Sequence, residues 1–304
     1  MKNSKALFQE IVSRINLKES REEIHAIVYI LLKKFFGISR TDVMTGQTVS
    51  YPPEVAGRLD KAIGRINNQE PVQYVVGEQP FFGRTFQVNA SVLIPRGETE
   101  ELIRVVLAYK YSLLSKKNFP SPFRILDVGT GSGCIAITLS LDIDEAEVYG
   151  TDISNAALSV ASENAAMLNA RVNFLEHNIL REKIPFRDLD VVVSNPPYVM
   201  TAEKASMQAN VTDFEPHLAL FVPDDDPLVF YREIARQAKQ VLKPGGMLAV
   251  EINEKFAKEV SDLFLAEGFD NVQAGKDIAG KDRVVSGLKR GDLRADAPKR
   301  IQGS

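Results

Sequence analysis

Short apolar runs alternate with longer amphipathic segments from residue 124 onward. The runs are continuous rather than alternating, which is typical of strands buried on both faces of a parallel sheet. They occupy residues 124–128, 147–152, 172–175, 189–194 and 247–252. The segments that separate them have apolar residues at helical spacing and predict helices at residues 135–141, 155–168 and 227–242. This alternation predicts an α/β fold with a mostly parallel, doubly wound sheet, followed by a helix at residues 255–267 and two strands ending at 282–288.

The first seventy residues have a helical pattern instead. Ser20 and Glu23 fit a capping box, and apolar residues then recur at helical spacing as far as Gly37. A second helix is predicted after Pro53. Residues 73–88 contain short apolar and aromatic runs and predict a hairpin between two domains. The final segment, residues 289–304, is polar and basic, and we expect it to be a disordered tail.

The composition narrows the class of protein. The 304 residues are 44% apolar and 25% charged, which is typical of a globular protein with one large domain or two smaller ones. One cysteine excludes an internal disulfide bond, and three scattered histidines lack metal-ligand spacing. No apolar run approaches the ~20 residues that span a bilayer, and the first segment is amphipathic. We therefore expect a cytoplasmic protein without a membrane segment or a metal, and the net charge of −3 gives no global attraction to nucleic acid.

A glycine-rich loop joins the first predicted strand to its helix. Its sequence is Asp127-Val128-Gly129-Thr130-Gly131-Ser132-Gly133. The glycines allow a tight turn and close approach of a ligand to backbone N–H groups at the helix start, although any tight turn of this kind uses glycine. The spacing is more informative, because a dinucleotide-binding loop needs its third glycine at position 134, which is Cys134, and the lysine of a phosphate-binding loop is missing. Asp127 precedes the loop, where it can face the ammonium group of an amino-acid-bearing ligand.

An acidic residue ends the second predicted strand. Asp152 lies 25 positions after Asp127, where a carboxylate can accept hydrogen bonds from both ribose hydroxyls of an adenosine group. Capping of the following helix, a task that Ser154 can share, is the alternative explanation. Asn178 and Ile179 follow the third predicted strand, in the usual neighbourhood of adenine contacts. Together with the Gly-x-Gly-x-Gly loop, these residues favour S-adenosylmethionine over NAD or ATP as the cofactor.

The fourth predicted strand ends in the most unusual sequence of the chain, Asn195-Pro196-Pro197-Tyr198, here called the NPPY motif. Two prolines donate no N–H, so the local backbone offers only carbonyl oxygens. With the side-chain oxygen of Asn195, these carbonyls can accept both hydrogens of a planar NH2 group, and Tyr198 offers a flat face for stacking. The motif predicts a site for an amide or an aromatic amine. A proline-rich turn after a core strand is the simpler alternative.

With the glycine loop, Asp152 and the NPPY motif in this order, the chain resembles the class I S-adenosylmethionine-dependent methyltransferases. Within them it is similar to the protein-glutamine N5-methyltransferases that modify peptide chain release factors, the PrmC/HemK family. The resemblance covers about residues 7 to 288 and includes several further segments: Pro71-Val72-Gln73-Tyr74, Phe81-Phe82-Gly83, Leu93-Ile94-Pro95-Arg96-Gly97-Glu98-Thr99-Glu100-Glu101-Leu102, Glu215-Pro216 with Ala219-Leu220, and Asp277-Ile278-Ala279-Gly280-Lys281-Asp282-Arg283. The segment around Arg96 and Glu98 is the more specific one, because adenine-N6 DNA methyltransferases share the NPPY motif.

The resemblance implies a Rossmann-like, seven-stranded class I methyltransferase sheet at residues 91–288, an N-terminal helical domain at 1–70 that helps to bind the release factor, and a hairpin linker at 71–90. It also implies which residues bind S-adenosylmethionine and its product S-adenosylhomocysteine: Asp127, Gly129, Thr130, Gly131, Ser132, Gly133, Asp152, Asn178, Ile179 and Asn195. The substrate amide would contact Asn195, Pro196, Pro197 and Tyr198, with Arg96 and Glu98 nearby. An acid-rich helix N-terminus explains Glu98 equally well.

Several functions fit these residues. The leading one is methylation of the glutamine amide in the Gly-Gly-Gln loop of class 1 release factors, by a monomer and without a metal. Methylation of a ribosomal-protein glutamine uses the same chemistry. Adenine-N6 methylation of nucleic acid is a third, but the acidic balance and the lack of a separate basic domain argue against stable nucleic-acid binding. A cofactor-binding regulatory module would need a degraded amide pocket, and the NPPY motif is intact.

Overall fold

The computed structural model describes residues 1–115 and 122–291. The first part is mainly helical and contains β1 (Lys2–Asn3), α1 (Ser4–Arg14), α2 (Arg21–Phe36), α3 (Arg40–Thr45), β2 (Thr48–Val49), α4 (Pro53–Asn67), α5 (Val72–Val76), β3 (Glu78–Phe81) and β4 (Arg84–Gln87). The second part alternates strands and helices: α6 (Glu100–Ser115), β5 (Phe123–Val128), α7 (Cys134–Asp142), β6 (Ala146–Asp152), α8 (Asn155–Leu168), β7 (Val172–Glu176), β8 (Leu189–Ser194), β9 (Val199–Met200), α9 (Ala209–Thr212), α10 (His217–Leu220), β10 (Phe221–Val222), α11 (Val229–Val241), β11 (Leu242–Glu251), α12 (Ala257–Glu267), β12 (Phe269–Lys276) and β13 (Asp282–Lys289).

The N-terminal helices enclose a core of their own. The predicted start of α2 is confirmed, because the Ser20 hydroxyl accepts the backbone N–H of Glu23 at 3.1 Å. Gly37, with a φ of 68°, ends that helix in the left-handed region that glycine adopts readily. Apolar side chains from α1, α2 and α4 are buried together, among them Leu7, Ile11, Leu31, Leu32 and Leu59.

The segment predicted as a hairpin at residues 73–88 is a helix followed by a shorter hairpin. Val72–Val76 form the one-turn helix α5, and only β3 and β4 pair, in antiparallel register. Phe82 and Gly83 close the turn with φ values of 46° and 74°. Phe81 and Phe86 are buried in the same apolar cluster as strands of the large sheet. Tertiary packing therefore anchors this hairpin on the second part of the chain.

The large sheet has seven strands in the order β12-β13-β11-β8-β5-β6-β7. The five strands predicted as parallel are confirmed, and β13 is antiparallel to both of its neighbours. The predicted strand at 247–252 begins earlier, since β11 starts at Leu242 and its register against β8 shifts between Leu242 and Met247. Gly245 and Gly246 lie in that irregular stretch.

The strand order has its switch point between β5 and β8. The chain runs from β5 outward to β6 and β7 on one side, and returns through β8 and β11 on the other. A crevice forms outside the carboxyl ends of the strands at such a point, and ligands bind there in open α/β sheets. The glycine loop, Asp152 and the NPPY motif all follow carboxyl ends of these central strands.

At the C-terminal end, the structure continues slightly beyond the predicted boundary at residue 288. Lys289 is the last residue of β13, and Arg290 forms an ion pair with Asp270 at 2.7 Å. The rest of the predicted disordered tail of residues 289–304, from position 292 onward, lies outside the described residues. Within residues 1–115 and 122–291, no helix has the length and apolar character needed to cross a bilayer.

Candidate active site

A cavity of about 300 Å³ opens at the switch point of the sheet. Most of the predicted site residues form its wall: Arg96, Gly129, Thr130, Gly131, Ser132, Asp152, Asn178, Ile179, Asn195, Pro196 and Pro197. Four predicted residues lie outside the wall: Glu98, Asp127, Gly133 and Tyr198. The fold therefore brings the two halves of the predicted site into one space.

The glycine loop is held against the end of β6. The backbone N–H groups of Gly129 and Thr130 both donate to the carbonyl oxygen of Thr151, each at 2.8 Å. Gly129 and Gly131 have φ values of 72° and 55°, and within residues 1–115 and 122–291 no non-adjacent atom lies within 4 Å of a Cβ added to either. A ligand can therefore lie directly against the backbone of this loop.

Asp127 is oriented into the protein rather than into the cavity. Its side chain is fully buried, and its Oδ2 accepts the Thr130 hydroxyl at 2.6 Å and the Ala136 N–H at 3.3 Å. These bonds tie the end of β5 to the loop and to the first turn of α7. Burial raises the pKa of Asp127 to about 7. The alternation of side chains along a strand explains the placement, since the next residue, Val128, lines the cavity instead.

Asp152 faces the cavity with both carboxylate oxygens already engaged by backbone. Oδ2 accepts the N–H of Gly131 at 2.9 Å and Oδ1 accepts the N–H of Ser154 at 2.9 Å. The Ser154 hydroxyl, not the carboxylate, caps α8 by accepting the N–H of Ala157 at 3.2 Å. Burial raises the pKa of Asp152 above its ordinary value. Each oxygen keeps a further lone pair for a donor in the cavity.

The segment after β7 forms another part of the wall. The Oδ1 of Asn178 accepts the N–H of Leu180, two residues further on, at 3.0 Å. Ile179 is buried. His177 also lines the cavity and is only 6% exposed. In the part of the chain that the structure describes, neither ring nitrogen of His177 has a hydrogen-bond partner.

Two residues that the sequence analysis did not identify as site residues, Thr99 and Glu251, form hydrogen bonds with the NPPY motif. The Asn195 Nδ2 donates to the Thr99 hydroxyl at 3.1 Å, and that hydroxyl donates to Oε2 of Glu251 at 2.7 Å. The Tyr198 hydroxyl donates to the other carboxylate oxygen at 3.1 Å. Burial raises the pKa of Glu251 to about 7. An acid within an otherwise apolar strand was the available signal for Glu251.

Arg96 and Glu98 have different surroundings. Arg96 forms an ion pair with Glu215, whose side chain is buried and whose second oxygen accepts the N–H of Ile94 at 3.2 Å. Glu98 is exposed on the turn that precedes α6. Glu100 accepts the N–H of Phe82 at 2.9 Å and so joins the hairpin to α6. Arg96 is thus a cation at the cavity wall that is paired with a buried carboxylate.

Comparison with protein families gives two matches. Residues 6–77 match the model described as PrmC N-terminal domain, and residues 112–214 match the model described as Methyltransferase small domain. Proteins named release factor glutamine methyltransferase are similar over most of the chain. The one from Flavobacterium psychrophilum is 38% identical, covering 94% of this chain and 98% of the relative. The one from Bacteroides thetaiotaomicron is 40% identical, covering 87% and 92%.

Among solved structures, the hMettl16 catalytic domain in complex with MAT2A 3'UTR hairpin 6 is similar with a TM-score of 0.54. It is 14% identical, and the match covers 90% of this chain and 93% of that chain. An identity this low shows the fold alone. Together with the sheet order and the family matches, it confirms the predicted class I methyltransferase fold with an N-terminal helical region.

Proposed function

Because the chain belongs to the release factor glutamine methyltransferase family, we propose that it methylates the glutamine side-chain amide in the Gly-Gly-Gln loop of class 1 peptide chain release factors, with S-adenosylmethionine as the methyl donor. One observation carries this proposal. A single cavity joins the open glycine loop and Asp152 to the acceptor groups of Asn195 and Pro196. A donor bound at one end can therefore meet an amide held at the other.

The cavity wall fits S-adenosylmethionine, which when bound supplies a methyl group on a sulfonium and leaves as S-adenosylhomocysteine. We assign the ribose hydroxyls to the free lone pairs of Asp152. Asn178 and Ile179 would contact the adenine. The loop residues would hold the methionine part: Gly129, Thr130, Gly131 and Ser132. Asp127 and Gly133 do not line the cavity. Asp127 instead holds the loop through its hydrogen bond with the Thr130 hydroxyl.

The NPPY motif supplies the acceptor side of the reaction. The Asn195 Nδ2 is engaged by Thr99, so its Oδ1 is left to accept one hydrogen of the glutamine NH2. The Pro196 carbonyl would accept the other. An amide nitrogen is a poor nucleophile because its lone pair is delocalised, and two fixed acceptors favour the pyramidal, partly positive nitrogen of the transition state.

The bonding changes balance without a further reactant. The new bond joins the amide nitrogen to the methyl carbon, the sulfur–methyl bond breaks, and its electron pair stays on sulfur as a thioether. The extra proton leaves the nitrogen for water afterwards. Because a neutral thioether is a good leaving group from a sulfonium, the displacement needs no metal.

We assign residues 1–70 to recognition of the release factor, 71–90 to a linker and 91–288 to catalysis. Two observations support this division: the N-terminal helices bury their own core, and Arg96, paired with Glu215, lines both the cavity and a second pocket whose wall includes Glu23 of α2. Tyr198 would complete the amide pocket from the edge, and Glu98 is exposed where a protein substrate can reach it. We infer that the enzyme works as a monomer in the cytoplasm, where translation termination occurs.

The test is methyl transfer from labelled S-adenosylmethionine to four acceptors: a purified release factor, its loop Gln→Ala variant, duplex DNA and a ribosomal protein. Peptide mass spectrometry locates the methyl group. We expect one methyl on the loop glutamine and none on the variant or on DNA. Label on DNA alone would show that the NPPY motif serves an adenine amine, and label only on an added ribosomal protein would identify the other glutamine substrate.

Asn195→Ala separates chemistry from cofactor binding. We expect it to lower turnover at least 100-fold, because it removes a preorganised acceptor, while the dissociation constant of S-adenosylhomocysteine stays within about threefold of wild type. Asn173→Ala, on the exposed face of β7 outside the cavity wall, is the matched control. Parallel loss of turnover and affinity in Asn195→Ala would contradict the assigned role.

A further inference from the structure

The end of β11 lies beside the NPPY motif because of the register of the sheet. Val250 in β11 pairs with Ser194 in β8, so Glu251, the last residue of β11, lies beside Asn195, the residue that follows β8. Glu251 is 1% exposed. A carboxylate buried to this degree is costly unless donors satisfy it. Its two oxygens accept the hydroxyls of Thr99 and Tyr198, at 2.7 and 3.1 Å.

The charge of Glu251 sets the direction of this hydrogen-bond chain. A carboxylate can only accept, so the Thr99 hydroxyl must use its single hydrogen toward Glu251. Thr99 then offers only lone pairs to Asn195, 3.1 Å away. The Asn195 amide must meet it with its NH2 group, and its oxygen faces the other way. Without this chain, the two ends of an asparagine amide are nearly equivalent in shape.

We propose that Glu251 and Thr99 are positioning residues that hold the Asn195 amide with its oxygen toward the substrate NH2 group. The turn before α6 supports the arrangement, because the Thr99 N–H donates to the Arg96 carbonyl at 3.2 Å and the Thr99 side chain is only 2% exposed. Glu251 also holds the hydroxyl of Tyr198, so one buried carboxylate organises both ends of the NPPY motif. This inference rests on the proposed function.

The direction of the chain depends on the protonation of Glu251. A neutral carboxyl group can donate to Thr99, which frees the hydroxyl hydrogen to turn toward Asn195 and favours the inverted amide. The titratable and charged groups that face Glu251 come from several elements: Tyr198, Arg283 of β13, Glu98, Tyr231 of α11 and Cys134 of α7. Arg283 donates to Asp277 instead, at 3.2 Å, so it influences Glu251 only through space.

The test compares Thr99→Val, which keeps the shape and removes the hydroxyl, with Thr99→Ser, which keeps the hydroxyl. The measurements are kcat, the KM for the release factor, the affinity for S-adenosylhomocysteine by calorimetry, and the melting temperature. We expect Thr99→Val to lower kcat at least tenfold with the affinity unchanged within twofold, and Thr99→Ser to restore kcat to within threefold of wild type. Equal kcat in Thr99→Val and wild type, or equal losses in both variants, would overturn the proposal.

Glu251→Gln gives a second readout if Thr99→Val folds poorly. In wild type we expect kcat to rise at least fivefold between pH 6 and pH 8, as Glu251 ionises. Glu251→Gln should have a lower kcat at pH 8 and lack this rise, because a carboxamide does not titrate. An identical pH profile in both proteins would overturn the proposal.

The two levels of inference can fail separately. Transfer by wild type to the release factor tests the proposed function, whereas the ratios between variants test the positioning role. If the acceptor proves to be another amide or an adenine amine, the same variants are compared on that acceptor. The same NH2 geometry applies there, so the outcome still decides the role of Thr99 and Glu251.

Discussion

Asp152 accepts the backbone N–H of Gly131, with 2.9 Å between that nitrogen and Oδ2. The contact joins the carboxyl end of β6 to the loop that follows β5, and the same carboxylate accepts the N–H of Ser154 with its other oxygen. One side chain therefore shapes the glycine loop and also faces the cavity. In the proposed function, the carboxylate that orders the loop would also bind the ribose.

Asp152→Asn is expected to weaken S-adenosylhomocysteine binding at least tenfold. An amide has only one acceptor oxygen, so it cannot accept from Gly131, Ser154 and two ribose hydroxyls at once, and a lost charge-assisted bond is worth roughly 1.5–3 kcal/mol. Calorimetry measures the affinity. Glu176→Gln is the matched control, since Glu176 ends the neighbouring strand β7 outside the cavity wall. Wild-type affinity in Asp152→Asn would contradict the ribose assignment.

Gly133→Ala is expected to destabilise the protein more than Gly245→Ala does. The two glycines have φ values of 80° and 79°, so both variants carry a similar backbone cost of roughly 1–2 kcal/mol. At Gly133 an added Cβ would lie 2.8 Å from Ile137 Cδ1 and 3.2 Å from Ala161 Cβ, whereas at Gly245 no non-adjacent atom of the described residues lies within 4 Å. Overpacking of this kind costs about 1–3 kcal/mol more.

Urea unfolding of the two glycine variants measures that difference directly. A lower midpoint for Gly133→Ala at an unchanged slope would show a loss of stability in the native state. Equal midpoints would mean that α7 and α8 can move apart enough to admit a methyl group, and that their close packing does not require Gly133.

The ligand-free protein is expected to lose stability as the pH rises from 5 to 8. Burial raises the pKa of both Asp127 and Glu251 to about 7, above their ordinary values of 3.8 and 4.5. The native state then binds more protons than the unfolded state in this range. The contribution of these two groups to the free energy of unfolding is therefore fully present below pH 4 and is lost as the pH rises through 7. The rise in pKa from 3.8 to about 7 corresponds to roughly 4 kcal/mol for Asp127, and the rise from 4.5 to about 7 corresponds to roughly 3 kcal/mol for Glu251.

Asp127→Asn and Glu251→Gln should each flatten that pH dependence, as measured by urea unfolding at pH 5, 6, 7 and 8. Asp226→Asn is the control. The hydrogen bonds from Arg232 hold the pKa of Asp226 below its usual value, so it stays ionised across this range and its removal leaves the slope unchanged. A wild-type slope in both test variants would show that these carboxyl groups do not titrate near pH 7.

The strands of the sheet, the glycine loop and the NPPY motif could all be predicted from the amino-acid sequence. Each depends on residues that are close along the chain. A continuous apolar run predicts a buried strand, three glycines at alternate positions set the loop, and two prolines remove adjacent N–H groups. For the same reason, Asp152 and Asn195 could be recognised as the ends of strands whose carboxyl edges meet.

The contacts that hold the site residues in place are visible only in the tertiary structure. Thr99 and Glu251 are 152 positions apart, and Thr99 lies 96 positions before Asn195, yet the three form one hydrogen-bond chain. No local period encodes such a contact, because it depends on the strand order and the register between β8 and β11. The inward orientation of Asp127 and the anchoring of the hairpin by Phe81 have the same origin. They depend on which residues pack on each face of the sheet, and those neighbours are fixed only when the strands pair.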